Sequence, residues 1–337
     1  MSKQTLNLVV AASLIIALVS GTAWVIAASG SGRGDGNEVI HACINPAGQL
    51  RIVGPDEQCH SNETELAWNV LSPQVTEEQL EILSHMSIVF LDDGMGNTIK
   101  TIRITGVNVQ VVNGMDDTET TNGAGNLIIG YNEDAPEVVE NRSGSHNLVV
   151  GIDHTFNSYG GFIAGFGNNI TAPYASVSGG RDNSASGSYA SVSGGKDNRA
   201  NGLGSSVSGG RDNTASSNQA TVSGGFDNTA SGLQSSVSGG AGNTASGPHS
   251  SVSGGAVNTA IGGSSSVSGG GDNEASGPQS SVSGGFNNTA SGFLSSVSGG
   301  RQCTVNVNGF YASVSGGLNR SVSGEDDWAA GSLFEDD

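Results

Sequence analysis

Ser235–His249 reads SSVSGGAGNTASGPH, and Ser250–Ser264 reads SSVSGGAVNTAIGGS. The same line recurs along most of the chain. The valine of VSGG falls at Val177, Val192, Val207, Val222, Val237, Val252, Val267, Val282 and Val297, always 15 residues apart, and one step of 17 leads to Val314. Six residues after each valine stands an asparagine: Asn183, Asn198, Asn213, Asn228, Asn243, Asn258, Asn273 and Asn288, with Cys303 in the next such place. Eight residues after it stands an alanine, from Ala185 to Ala290, and then Val305. A fixed period of this kind is the mark of a stacked repeat. The pairs that follow VSGG and those that follow the second glycine vary freely, as surface turns do.

Gly and Asn are poor helix residues, so helical repeats are excluded. Ser-Val-Ser and Thr-Ala-Ser are short alternations that read as strands with one side chain inward. Glycine after each allows a tight bend. One repeat is therefore one coil of an all-β parallel solenoid: strand, turn, strand, turn. The valines and alanines form its core, and the asparagines form a ladder in which each amide stacks on the next. Collagen requires glycine at every third place and much proline; this chain has 54 Gly but 7 Pro and no triplet period. A flexible Gly/Ser linker does not hold Val, Asn and Ala in register over so many repeats.

Degenerate coils come earlier. GNLIIG (125–130), HNLVVG (146–151) and GFIAG (161–165) put Ile128, Val149 and Ile163 in the valine place, at spacings of 21, 14 and 14. Leu127, Leu148 and Phe162 precede them, where later coils carry Ser or Thr. These three are candidate subunit-contact residues, because an apolar column on the outer face asks for cover. Residues 133–142 add an acidic loop. Each regular coil buries little apolar surface against the entropy of ordering its residues, which favours several chains packed side by side.

The line SSVSGGxxNTASGxx resembles the head repeat of trimeric autotransporter adhesins of the YadA type, over roughly Gly125 to Gly324. The resemblance implies a left-handed parallel β-roll of 15-residue coils in a homotrimer, and an adhesive role at the cell surface. The chain departs from that family in two respects: no long coiled-coil stalk and no C-terminal membrane barrel are recognisable, and it ends EDDWAAGSLFEDD. It resembles a looser group of secreted bacterial proteins that carry such heads behind another N-terminal module.

That N-terminal part divides further. Residues 1–28 hold Lys3 and an uncharged apolar run from Leu6 to Ser29, read as a signal peptide with cleavage near Ala23 or Ala28, or as a retained anchor. Residues 29–38 are a flexible linker containing Arg33-Gly34-Asp35, a tripeptide that adhesion receptors recognise and that also arises by chance. Residues 39–72 form a small module in which Cys43 and Cys59 bracket a hairpin. In an exported chain they read as a disulfide; His41 and His60 beside them would complete a zinc set, but the C-x-x-C spacing is absent. Residues 73–124 carry a short helix with a Thr76/Gln79 capping box, acting as a trimer seed or a lid on the first coil, and then strands. Ile102 and Ile104 alternate, as do Val107, Val109 and Val111, with a bulge at Gly106. DDGMGN (92–97) reads as a hairpin turn rather than a calcium loop, since further acidic ligands are missing. Residues 125–324 are the roll, and 325–337 an acidic tail.

No catalytic, phosphate-binding or dinucleotide pattern is present, so no cofactor and no enzyme activity are expected. Asp153-His154 is a polar pair on a turn. With 12 basic against 31 acidic residues, the net charge of −19 opposes nucleic acid. A calcium ladder would need Asp in every turn, yet only Asp182, Asp197, Asp212, Asp227 and Asp272 supply one. The expected function is attachment through multivalent contacts to an extracellular matrix protein, a polysaccharide or an abiotic surface. A purely structural spacer, coat or fibre subunit is the alternative. An ice-binding solenoid is a further one, weakened because Ser lacks the methyl group of Thr.

Overall fold

The computed structural model describes residues 39–54, 56–69, 75–134 and 140–331 of the 337. The apolar run Leu6–Ser29, the linker with its Arg-Gly-Asp, and residues 135–139 of the acidic loop lie outside them. The chain divides into two compact units, residues 1–108 and 109–337.

In the first unit, β1 (Val39–Ile44) is the central strand of a three-stranded antiparallel sheet, between β2 (Leu50–Val53) and β3 (Thr64–Asn69). Asn45 closes the β1–β2 turn, its Oδ1 accepting from the backbone N–H of Ala47 and Gln49, both at 3.0 Å. Cys43 and Cys59 are joined in a disulfide with Cα atoms 5.5 Å apart. Both sulfurs are thereby spent, which removes the zinc set; His41 faces Glu65 at 3.8 Å and His60 faces Glu63 at 3.1 Å. Arg51 holds the loop by pairing with Glu57 and with Glu63. The Arg51 hydrogen bond, followed by the His60 backbone N–H, holds the Glu63 carboxyl down at about 2. The strand β3 escaped the sequence reading because TELAWN has little β-branched character.

Helix α1 (Glu77–Ser84) starts at the Thr76 capping box: Thr76 Oγ1 accepts from the Gln79 backbone N–H at 3.2 Å, and Gln79 Oε1 accepts from that of Thr76 at 3.0 Å. An antiparallel hairpin follows, β4 (Met86–Asp92) with β5 (Thr98–Ile104). Its turn is organised by Asp93, whose carboxylate accepts from the backbone N–H groups of Met95 and Asn97 and from Asn97 Nδ2. This is the hairpin turn expected of DDGMGN. The second strand stops at Ile104, however, and Val107, Val109 and Val111 are not in a strand. The reason is register: Met86 pairs with Ile104, so β4 is used up there, and Gly106 turns the chain away at φ +79°. No residue of α1 is buried, and Ile88, Phe90, Ile99 and Ile102 are all more than half exposed.

The second unit is a parallel β-solenoid. One sheet of 14 strands runs from β6 (Leu127–Ile129) and β7 (Leu148–Ile152) through Ser176–Val177 and its repeats to Trp328–Ala329. A second, of 12 strands, runs from Thr155–Phe156 through Ser184–Ala185 and its repeats to Ser321–Val322. The register is one coil per rung: Val237 lies beside Val252, and Ala245 beside Ala260. Ser236 N–H donates to Ser250 O at 3.0 Å and Ser238 N–H to Val252 O at 2.9 Å, with matching bonds in every regular coil. The nine regular valines from Val177 to Val297 are buried, as are the alanines between them. Behind this core the larger Val149, Phe156, Ile163 and Ile170 fill the first coils. The stacking continues into the segment read as a tail: Ala329 pairs with Val314 one period on.

The residue before each ladder asparagine has a left-handed backbone, as at Asp182 (φ 57°), Asp197 (56°), Asp212 (60°) and Asn287 (55°). Its choice of residue is therefore not free. Asp, Asn and Gly tolerate this region, and β-branched residues do not. Val257, at φ 57° and 57 % exposed, breaks the rule. Val257→Asn is expected to raise stability by about 1 kcal/mol, read as a higher midpoint of thermal or denaturant unfolding; an unchanged or lower midpoint would contradict this reading of the turn.

Candidate functional site

In the regular coils the buried asparagines bond backbone groups rather than one another's amides, except that Asn183 Nδ2 also donates to Asn168 Oδ1 at 3.2 Å. Asn243 shows the arrangement. Its backbone N–H donates to Asn228 Oδ1 at 3.0 Å, its Nδ2 donates to Gly239 O at 2.9 Å and to Gly255 O at 3.0 Å, and its Oδ1 accepts from the Asn258 backbone N–H at 2.9 Å. Each amide thus bonds its own coil and the next, and its backbone the one before. Asn183, Asn198, Asn213, Asn228, Asn243, Asn258, Asn273 and Asn288 are all buried, and each is bonded to the rung before it in this way. The turn glycine beside them has no alternative: a Cβ on Gly240 would lie 2.1 Å from Gly255 O and 2.5 Å from Asn243 Nδ2.

The ladder is longer than the regular repeat. Asn168 Oδ1 accepts from Asn183 N–H at 2.8 Å, His154 Nδ1 from Asn168 N–H at 3.2 Å, and Asn132 Oδ1 from His154 N–H at 3.0 Å. At the far end Asn288 Oδ1 accepts from Cys303 N–H at 2.9 Å, and the Cys303 thiol reaches Gly317 O at 3.4 Å. Cys303 is a buried thiol standing in for an amide. His154 does the same with an imidazole: Nδ1 takes the role of Oδ1, and Nε2–H donates to Val150 O at 3.1 Å. This pattern assigns the neutral tautomer. Asp153, with φ 59°, is then the left-handed residue before a rung. Sequence reasoning missed these members because the steps between them, 22 and 14 residues, depart from the period of 15; an Asx residue or histidine a few positions after an apolar doublet was the available signal.

Two surfaces flank the ladder core. Leu127, Leu148 and Phe162 align in register and are followed by Ser176; Leu127 is 52 % exposed and the other two are half-buried. Ser206, Ser236 and Ser251 continue that column along the rod, half-buried. The turn after VSGG carries charge. Phe166, Arg181, Lys196, Arg211 and Phe226 form adjacent rungs there. Each of the three cations pairs with the aspartate that follows it, and Arg181 and Arg211 lie over the rings of Phe166 and Phe226 at 5.2 and 4.5 Å. The opposite turn differs: from Tyr174 to Tyr311 its rungs carry no Asp, Glu, Lys or Arg.

Near the first coil, a hollow is lined by Gln110, Asn113, Asp116, Asp117 and His146. The imidazole there is committed to the backbone, Nε2 accepting from Asn113 N–H at 3.2 Å and Nδ1 donating to Thr118 O at 3.1 Å. Among the described residues no helix is long and apolar enough to cross a membrane. Compared with known proteins, the chain matches no family model and no curated protein.

His154 gives the ladder a pH dependence. Burial lowers its pKa below 6.5, outweighing the bond from Nε2–H to Val150 O, and the nearby Asp153 and Arg142 act in opposite directions. Below that unfolded value the unfolded chain takes up a proton that the folded chain refuses, so stability is present above about pH 6.5 and is lost as the pH falls through the folded value. Heating the protein between about pH 7.5 and pH 5 should show a falling melting temperature, and His154→Asn should flatten that fall while keeping the rung. An equal fall in the variant would place the effect elsewhere.

Proposed function

We propose that this chain is an exported, non-enzymatic surface protein that attaches through multivalent contacts, with three copies packed side by side as left-handed rolls of the YadA-head kind. The observation that carries the reading is the pair of long parallel sheets, 14 and 12 strands, which repeat like side chains at one coil spacing along a rod. Contacts that are weak singly become strong when many are engaged at once. A polymeric target, a matrix protein, a polysaccharide or an abiotic surface, matches that geometry. Export is supported by the Cys43–Cys59 disulfide, which persists in oxidising compartments.

Assembly is supported by apolar side chains that one chain leaves uncovered. A two-stranded hairpin is marginal alone, yet β4 and β5 expose Phe90 at 65 % and Ile102 at 65 %. Leu127, Ile128 and Ile129 on the outermost strand are each close to half exposed. Further copies of the chain would cover such faces, with Leu148 and Phe162 continuing the contact.

The reading is tested on the full chain and on a version lacking three coils, residues 220–264. Both should have the solution mass of three chains, and Leu148→Ser should lower the melting temperature of the assembly. The full chain should attach to a matrix protein, a polysaccharide or an abiotic surface above a denatured control, and the shortened one more weakly. A three-chain rod that attaches to none of these would leave the spacer reading in its place.

A further inference from the structure

The uncharged turn contains an aromatic stack with one rung missing. Tyr159, Tyr174 and Tyr189 occupy successive coils there. The first two rings meet edge to face with centroids 5.5 Å apart, and the second two are stacked at 5.2 Å with planes 12° apart. Tyr174 is pinned from the side, its hydroxyl donating to Glu119 Oε1 at 2.9 Å. The stack therefore holds Tyr189 in place before any ligand arrives. Tyr159 and Tyr174 are half-buried, whereas Tyr189 is 62 % exposed.

The next rung is Gly204, and the one after it is Gln219. A Cβ built on Gly204 would meet nothing closer than Gln219 Cγ at 3.9 Å. One ring face of Tyr189 thus looks onto a rung whose residue, Gly204, has no side chain. From Tyr189 to Gln219 is two coil steps, about 9.5 Å, which leaves room for one flat ring between them. Gln219 forms the far wall. Its Oε1 accepts from Gln234 Nε2, so its own amide N–H donors remain for a ligand among the described residues.

We propose that this slot binds a neutral hexopyranose ring of a polysaccharide. The face of an aromatic ring is electron-rich, and the C–H groups on one face of a pyranose carry the complementary polarity. Such a sugar also bears hydroxyls on its rim, which suit the Gln219 amide. Charge decides against an anionic polymer, because the chain carries −19 overall and this turn offers no cation between Tyr174 and Tyr311. The lane beyond the slot continues with Gln234, His249 and Gln279, polar groups that a linear neutral chain could follow. This inference rests on the adhesive reading and names its ligand class and its first contact.

The backbone itself supplies a test. Gly204 has φ 62°, close to Tyr174 at 58° and Tyr189 at 59°. Gly204→Tyr should therefore fold with an unchanged or higher melting temperature, extend the stack and fill the slot. The full chain is titrated with cellohexaose, maltohexaose and N-acetylchitohexaose, following the ring signals of labelled tyrosine by NMR. At least one hexaose should shift the Tyr189 signals, and both Tyr189→Ala and Gly204→Tyr should weaken its binding by about ten-fold or more. A surface that merely adsorbs to aromatics would bind more strongly after Gly204→Tyr, and that result overturns the proposal. So does a native chain that binds none of the three sugars, or one whose Tyr189 signals respond only to a tryptophan-containing peptide. The surface-attachment assay separates the two levels. If Gly204→Tyr attaches as the native chain does and no hexaose binds, the slot is refuted and the adhesive reading stands. If the native chain attaches to nothing, that reading fails, while the titration still decides the slot.

Discussion

An asparagine amide in a coil of this solenoid has to bond backbone groups in two coils at once, and most other features follow from that demand. A buried amide left unpaired costs about 1–3 kcal/mol, so the side chain is stable inside where both its ends find partners. Here they do: Nδ2 joins Gly239 O to Gly255 O, and Oδ1 holds the Asn258 backbone N–H. The bond geometry links neighbouring coils at a turn, beside backbone bonds such as Ala241 N–H to Gly255 O. It sets the period as strictly as the valine core does, and it favours a substitute that can both donate and accept. The imidazole of His154 does both, and the thiol of Cys303 keeps the donor half by reaching Gly317 O.

The same constraint sorts the surface. To aim each asparagine inward, the chain takes a left-handed residue just before it, which favours Asp, Asn and Gly and concentrates charge on that turn. The cations there are balanced locally by those aspartates and partly covered by Phe166 and Phe226. The other turn also uses left-handed residues, but with no buried amide to aim. Its residues are free to be Tyr, Gln, His or Leu. The rod therefore presents one edge with charged rungs and one whose rungs from Tyr174 to Tyr311 carry no charge, and the tyrosine stack lies on the second.

Much of this was legible in the sequence, since regular repeats expose their own register. The valine, asparagine and alanine intervals identified the parallel solenoid, Thr76 with Gln79 marked the helix start, and the two cysteines of the first module pointed to their bond. What was missed had weak or displaced signals. The strand Thr64–Asn69 is built from residues with little strand preference, and its place comes from pairing with β1. The alternation through Val107 and Val111 looked like a strand, but β4 had no residues left to pair with it. Asn132, His154 and Asn168 belong to the ladder although the spacing between them is irregular. The apparent freedom of the turn pairs concealed a backbone requirement that only the dihedral angles reveal. The gap at Gly204 is a case where a glycine matters for the space it leaves rather than for a bend.

The central claim is that side-chain amides, coil by coil, hold the backbone of the next coil. Hydrogen exchange at single backbone amides tests it most directly in the Asn243→Ala chain. The Asn258 N–H, whose acceptor is Asn243 Oδ1, should lose most of its protection, while the Asn213 N–H, bonded to Asn198 Oδ1, keeps its own. Unchanged protection at Asn258 would show that the strand ladders alone hold the coils in register, and would contradict the account.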